Sequence, residues 1–195
     1  MKKIIALAMS ILMLVLSLSL SSCDSVPYKE TDTETNFVLI DVKDYGKIVV
    51  ELYPDVAPIT VENFKNLVSE EFYDGLIFHR IISDFMIQGG GITQDYKQKE
   101  CASIKGEFNS NGIENNLSHK RGVISMARTS VMDSASSQFF IMHKDTPQLD
   151  GDYAAFGEVV WGIETVDKIA EVKTDYYDMP YDNVVITSIR FAEEK

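Results

Sequence analysis

Apolar and polar residues alternate in short runs through most of the chain after residue 36, and this pattern predicts a mainly β domain. The first two runs, Phe37 to Val42 and Lys47 to Tyr53, are separated by a short turn sequence that favours a β-hairpin. The run from Phe78 to Gly91 is predicted to be mostly one buried strand, which three glycines terminate. Further strands are predicted at Gly122 to Ala127, Gln138 to Met142, Ala154 to Val160 and Asn183 to Phe191.

Two segments show helical periodicity instead. The first begins near Pro58, and its apolar face consists of Val61, Phe64, Leu67 and Val68. The second has its apolar face at Ile163, Val166, Ile169 and Ala170. About eight short strands and two helices, without regular strand–helix alternation, predict one antiparallel barrel whose open ends the helices cover. We expect a single folded domain over residues 37–195.

The N-terminal segment differs in kind from the rest. Lys2 and Lys3 precede a nearly uncharged run, Ile4 to Leu20, and small residues follow it. This order is typical of a secretory signal peptide, which we place at residues 1–22. The alternative is an uncleaved membrane anchor, since the run is long enough to span a bilayer.

The sequence Leu20-Ser21-Ser22-Cys23 resembles the lipobox of bacterial lipoproteins, in which the cysteine becomes the lipidated first residue of the mature chain. The resemblance implies an exported protein whose Cys23 holds it to the outer face of a bacterial membrane, because more than one acyl chain gives stable anchoring. Residues 23–36 are polar and acidic, so we expect lipidated Cys23 to be followed by a flexible tether.

Composition excludes several partners and cofactors. The chain carries 18 basic and 30 acidic residues, a net charge of −12, which becomes −14 without Lys2 and Lys3. Such a surface repels phosphate backbones, so nucleic acid is not an expected partner. If Cys23 carries lipid, Cys101 is left without a disulfide partner. The three histidines lack metal-ligand spacing, so we expect no metal and no cofactor.

The remaining candidate chemistry is an apolar set that includes one guanidinium and two amides. Arg80 is a charged residue in an apolar run, and burying its guanidinium costs free energy unless its N–H donors form hydrogen bonds. The alternative is that its stem packs inside while the guanidinium reaches the surface. No covalent catalyst or acid–base pair accompanies it. The full set is Arg80, Phe85, Met86, Gln88, Ala127, Gln138, Phe140 and Leu149.

Rotation about an X-Pro bond is a reaction that such a set can catalyse. Amide resonance sets the barrier at about 18–20 kcal/mol. In the twisted state the proline nitrogen regains its lone pair and becomes a hydrogen-bond acceptor. A fixed Arg80 donor aimed at that nitrogen would therefore bind the transition state better than the planar ground state.

Four blocks of the chain resemble the cyclophilin-type peptidyl-prolyl isomerases, in the order that the family shows. The blocks are Phe72 to Gly90, His119 to Arg128, Ser136 to Met142 and Leu149 to Val160. The resemblance implies an eight-stranded antiparallel closed barrel capped by two α-helices, and a folding catalyst that binds proline-containing polypeptides. It implies that Arg80 and Gln88 are the catalytic residues, and that Gln88 also orients the peptide together with Gln138. The remaining contacts that it implies are Phe85, Met86, Ala127, Phe140, Leu149 and Tyr153.

Three positions depart from the family pattern. Gln148 stands where many members have Trp, which predicts weak binding of cyclosporin, a family ligand. Tyr153 replaces a frequent His and preserves an aromatic wall. Arg128 replaces a frequent Asn, and the change is mild if the family's contact there is made by the backbone.

Two other functions are compatible with the residues. A binding module could hold prolyl segments without turnover, although such a module would need the pocket more than the Arg80 donor. A secreted hydrolase could use the serines at 134–137, but the chain has no GxSxG motif. We favour the isomerase, and we expect it to act as a monomer.

Overall fold

The computed structural model describes residues 26–195. The predicted signal peptide at residues 1–22 and the predicted lipidation site, Cys23, lie outside the described residues. Within residues 26–195, neither helix is long and apolar enough to cross a bilayer.

Nine strands and two α-helices make up the described part of the chain. The strands are β1 (Tyr28–Glu30), β2 (Phe37–Val42), β3 (Gly46–Leu52), β4 (Leu76–Ile82), β5 (Met86–Thr93), β6 (Val123–Met126), β7 (Phe139–Met142), β8 (Ala155–Trp161) and β9 (Val184–Glu194). The helices are α1 (Pro58–Ser69) and α2 (Ile163–Ala170), and 3-10 turns occur at Asn109–Asn111 and Pro147–Leu149.

Strands β2 to β9 close into a ring. Their order around it is β9-β2-β3-β8-β6-β7-β5-β4, and β4 pairs back onto β9. Every pairing is antiparallel, and β1 adds to β9 outside the ring. The predicted eight-stranded antiparallel closed barrel with two helices is confirmed.

The barrel interior holds one continuous hydrophobic core, because alternate residues of each strand point inward. An aromatic group lies within it: the Phe64 ring centroid is 5.1 Å from Tyr73, 5.7 Å from Phe139 and 5.3 Å from Phe156. Phe64 belongs to α1, so this helix is fixed to the strands by its apolar face. The apolar face of α2 joins the same core through Val166, Ile169 and Ala170.

A buried carboxylate caps the N-terminus of α1. Glu107, only 2% exposed, accepts hydrogen bonds from the backbone N–H groups of Ile59 (3.1 Å) and Thr60 (2.7 Å) and from the Thr60 hydroxyl (2.7 Å). Negative charge is favourable at the N-terminus of a helix, where N–H groups lack partners. The long segment between β5 and β6 therefore has a structural role here.

The stretch from Phe78 to Gly91 is a hairpin of β4 and β5, so its prediction as mostly one strand is wrong. The chain reverses at Asp84, whose φ of 60° lies in the left-handed region that Asp tolerates better than most residues. The glycines do not end the run either, since β5 continues to Thr93. Because glycine has no side chain, neighbouring side chains can approach the backbone of β5 closely. A Cβ at Gly91, for example, would collide with Gln138 Cγ.

The prediction of a flexible tether over residues 23–36 is wrong for Tyr28–Glu30, which form β1 and pair with β9. The physical reason is an apolar patch outside the barrel. Leu39, Val49 and Ala192 point outward from β2, β3 and β9, and the N-terminal segment packs over them with Val26 and Tyr28. We call this patch and its cover the covered face.

Candidate active site

A concavity of about 140 Å³ opens on the outer surface of the barrel, on the side built by β4 to β7. Drug-sized ligands usually occupy roughly 300–1,000 Å³, so this cavity suits one small ring or side chain. Its lining residues are Arg80, Phe85, Met86, Gln88, Ala127, Arg128, Phe140, Leu149 and Tyr153. We call this surface the open face.

Strand register explains why distant residues meet here. Arg80 of β4 lies opposite Gln88 of β5, and Gln88 lies opposite Phe140 of β7. Phe140 in turn lies opposite Ser125 of β6. Directly opposed residues are about 5 Å apart, so these four form one row across the sheet, with the guanidinium at one end and the apolar floor near the centre.

Alternation along β7 separates the floor of the concavity from the core. Phe139 is fully buried inside the barrel, whereas Phe140 points outward and is 5% exposed. Phe140 clusters with Met86, and Phe85, Leu149 and Tyr153 pack around them as partly buried walls. The result is a largely apolar hollow that can take an apolar ring.

The Arg80 guanidinium lies at the edge of this hollow, and the Arg80 side chain is 41% exposed. Its Nε is 3.5 Å from Asp178 Oδ2, a separation longer than a good hydrogen bond. An ion pair between two half-exposed side chains contributes little. Within residues 26–195 the Arg80 side chain makes no hydrogen bond, so the donors of its planar fork are available to a ligand. Asp178 therefore orients Arg80 without consuming its donors.

The two predicted glutamines act together. Gln88 lines the concavity, and its Nε2 donates a 3.0 Å hydrogen bond to Gln138 Oε1. Gln138 does not line the hollow itself, but its backbone carbonyl accepts a 2.9 Å hydrogen bond from the N–H of Ala127. Gln138 thus fixes the Gln88 amide and the start of the loop that carries Arg128.

Arg128 is a second guanidinium at the concavity. Its Cζ lies 4.8 Å from the ring centroid of Tyr153 and 4.9 Å from that of Phe108, so both rings make cation–π contacts with it. Nε donates to the Asp152 carbonyl and Nη1 to the Thr129 carbonyl, each at 2.9 Å. These contacts hold the side chain in place.

A buried histidine supports the floor. The His119 ring stacks on Phe140, with centroids 6.0 Å apart. Its Nδ1 is 2.9 Å from Asp150 Oδ1 and its Nε2 is 3.0 Å from Ser125 Oγ. A carboxylate only accepts, so Nδ1 donates to Asp150. In the neutral ring Nε2 then accepts the hydroxyl proton of Ser125.

Electrostatics agree with a neutral His119. Burial lowers its pKa, and the hydrogen bond and charge of Asp150 offset that effect only in part. Burial alone would raise the pKa of Asp150, but hydrogen bonds from the His119 N–H, Ser118 and the His119 ring bring it below its usual value. Burial also lowers the pKa of His79, beside Arg80.

The structure brings eight of the nine predicted site residues into the concavity, and Gln138 lies directly behind them. Sequence reasoning missed the positions of Asp178 and His119 and the rigid placement of Arg128.

Gln148 is exposed and does not line the hollow. Ser134 braces its own loop by donating to the Val131 carbonyl at 2.7 Å, and within residues 26–195 no histidine forms a hydrogen bond with it.

Comparison with known proteins places this geometry in a family. A family model described as "Cyclophilin type peptidyl-prolyl cis-trans isomerase/CLD" matches residues 37–191. A peptidyl-prolyl cis-trans isomerase of Acinetobacter baylyi is 45% identical over 163 residues, which cover 78% of this chain and 84% of that protein. Peptidyl-prolyl cis-trans isomerase B of Escherichia coli is 41% identical over 163 residues, which cover 77% of this chain and 96% of that protein.

A solved structure also matches the fold of this chain. The cyclophilin type peptidyl-prolyl cis-trans isomerase of Cryptosporidium parvum, crystallised in the presence of the dipeptide Ala-Pro, matches with a TM-score of 0.68 and 30% identity. The match covers 80% of this chain and 98% of that one. The chain therefore belongs to the cyclophilin-type peptidyl-prolyl cis-trans isomerases and is an enzyme of that class.

Proposed function

We propose that the open face binds a proline-containing polypeptide and that Arg80 catalyses rotation of its X-Pro bond. One observation carries this assignment: a guanidinium with free donors stands at the edge of a small apolar hollow. In the proposed complex the proline ring fills the hollow over Phe140 and Met86. Gln88, fixed by Gln138, holds the backbone of the peptide.

The rate enhancement follows from differential hydrogen bonding. An uncatalysed X-Pro bond isomerises in tens to hundreds of seconds. Reaching sub-millisecond turnover requires about five decades, or roughly 7 kcal/mol. A preorganised donor that bonds only the transition state supplies about 2.7–4 kcal/mol. The grip on the proline ring supplies the remainder by fixing the ring while the preceding carbonyl turns.

The test is relaxation of a short X-Pro peptide from cis to trans, with wild type, Arg80→Ala and Arg80→Lys. We expect wild type to accelerate relaxation and Arg80→Ala to lose at least about 100-fold in kcat/KM. Arg80→Lys keeps the charge but not the planar fork, so it should recover only part of the loss. Equal acceleration by wild type and Arg80→Ala would contradict the role of Arg80, and tight binding without acceleration by wild type would indicate a binding module.

We further propose that the enzyme is an exported lipoprotein that acts on exported chains as a folding catalyst, anchored by lipid on Cys23 to the outer face of a bacterial membrane. The support is the order of the N-terminal residues: two lysines, an apolar run and small residues before Cys23. We also propose that it acts as a monomer, because the concavity lies within a barrel that closes on its own strands.

Labelling cells with a palmitate analogue tests the anchor. Wild type should be labelled and recovered with membranes, whereas Cys23→Ala should be unlabelled. A labelled Cys23→Ala protein would contradict this part of the proposal.

A further inference from the structure

The charge around the concavity is opposite to that of the molecule as a whole. The chain carries a net charge of −12, yet the lining of the concavity includes Arg80 and Arg128 and no Asp or Glu. Asp178 neutralises part of the charge on Arg80 from outside the lining. A local positive site in an acidic protein favours a negatively charged ligand group at that place.

Arg128 is held in one orientation, but not all of its N–H donors have acceptors. A guanidinium has five N–H donors. Within residues 26–195, the Arg128 side chain donates only to the carbonyls of Asp152 and Thr129. Nη2 therefore has no protein acceptor in this part of the chain, while the rings of Phe108 and Tyr153 fix the plane of the group.

Nearby carboxylates do not pair with Arg128. Asp150 accepts hydrogen bonds from Ser118 and His119, and Asp152 offers Arg128 only its backbone carbonyl. Asp133 is occupied by Gly106 and Asn111. Among residues 26–195, the only hydrogen-bond acceptors of the Arg128 side chain are uncharged carbonyls, so its charge is available to a carboxylate of a bound chain.

We propose that Arg128 forms a carboxylate-binding subsite at the rim of the concavity, which makes the enzyme prefer prolyl segments that carry Asp or Glu close to the proline. The inference rests on the proposed function, because it requires the proline ring to occupy the adjacent hollow. Tyr153 is shared by both sites: it lines the hollow and stacks on Arg128. A ring in the hollow therefore brings the neighbouring residues of the peptide within reach of Arg128.

A purely structural role for Arg128 makes a different prediction. If the side chain only braced its loop and Tyr153, its removal would weaken all peptides by the same factor. A subsite instead changes the ratio between an acidic peptide and its neutral counterpart. That ratio is measured within each variant, so a general loss of activity cancels from it.

The experiment uses peptides with one X-Pro bond in which Glu or its isosteric neutral counterpart Gln occupies, in turn, each position flanking that bond. The kcat/KM and Kd ratios of Glu to Gln peptides are measured at about 0.15 M salt, where charges farther than about 8 Å are largely screened. For at least one position we expect wild type to favour Glu by roughly two- to fivefold, the range of a half-exposed ion pair.

Three variants complete the test. Arg128→Gln should bring the ratio to about one, and Arg128→Glu should make the enzyme favour a Lys peptide instead, with ratios of the size that exposed ion pairs give. Arg121→Gln removes a guanidinium that is already paired with Asp167 at 2.6 and 2.9 Å outside the concavity, so its ratio should match wild type.

Two results would overturn the subsite: no position at which wild type favours Glu, or a preference that persists in Arg128→Gln. Failure of the proposed function has a different signature. Wild type would then bind the Glu peptide more tightly than the Gln peptide, with the gain lost in Arg128→Gln, but would accelerate neither. That outcome supports the subsite and contradicts catalysis.

Discussion

The open face and the covered face are two parts of the same outer barrel surface, and both present apolar side chains outward. On the covered face, Leu39, Val49 and Ala192 are sealed by the N-terminal segment with Tyr28. On the open face, no segment of residues 26–195 fills the hollow over Phe140. An outward apolar patch is thus a stability feature where the chain covers it and a binding site where it does not.

The two faces also lie on opposite sides of the ring. In the strand order, β2 is four strands away from β7 in either direction. The N-terminal segment can therefore add to the barrel without obstructing the concavity. This separation predicts that changes on the covered face alter stability and leave catalysis intact, whereas changes to the half-buried walls of the open face mainly alter catalysis.

The largest expected effects come from a matched pair of truncations, Leu39→Ala and Phe85→Ala. Leu39 is 1% exposed, so its loss should lower the free energy of unfolding by about 3 kcal/mol while kcat/KM of the folded enzyme stays within about twofold. Phe85 is a half-buried wall of the hollow, so its loss should cost at most about 1 kcal/mol of stability but at least about tenfold in kcat/KM.

Urea unfolding and peptide relaxation measure the two quantities. A fall in kcat/KM for folded Leu39→Ala as large as that for Phe85→Ala would contradict the separation of the faces.

A smaller effect is expected when the cover is removed. A chain that starts at Thr35 lacks β1 and the half-buried side chains of Val26 and Tyr28, so its free energy of unfolding should fall by about 2 kcal/mol. Thr35 is kept because its hydroxyl donates to the carbonyls of Phe37 and Ala192. Unchanged stability of the shortened chain would show that β1 is only loosely associated.

The smallest effect is a pH dependence that originates on the open-face side. Burial lowers the pKa values of His79 and His119 in the folded state, so the unfolded chain takes up protons first as pH falls. Stability should therefore be fully present above about pH 6.5 and decrease as pH falls below it. Carboxylates with lowered pKa values, such as Asp150, add losses only at more acidic pH.

Urea midpoints between pH 5 and 7.5 test this dependence. His119→Gln should show a shallower slope than wild type, whereas Leu39→Ala should keep the wild-type slope at lower overall stability. A wild-type stability that increased on acidification through this range would contradict the neutral His119.

Local periodicity was sufficient to predict most strands, both helices and the barrel class, because these depend on which residues alternate or recur within one segment. It failed at Asp84, where the only polar residues that mark the turn are Ser83 and Asp84, between two apolar runs. It also failed at β1, which has no periodicity of its own and depends on pairing Tyr28 with Glu194 at the far end of the chain.

The concavity was predicted through the family resemblance, because its residues occur in recognisable blocks. The contacts that complete it could not be predicted in this way. His119 meets Asp150 across 31 residues, and Asp178 reaches Arg80 from the loop before β9. The rigidity of Arg128 depends on Phe108 and Tyr153, which only the folded chain brings together.

Exchange NMR on a peptide bound at saturation measures the central claim most directly, because it reports cis–trans interconversion separately from binding. If Arg80 bonds the proline nitrogen mainly in the twisted state, Arg80→Ala should slow interconversion of the bound peptide by at least about 100-fold and change Kd by less than about threefold. An unchanged bound rate, with the whole loss of kcat/KM appearing in Kd, would contradict the account.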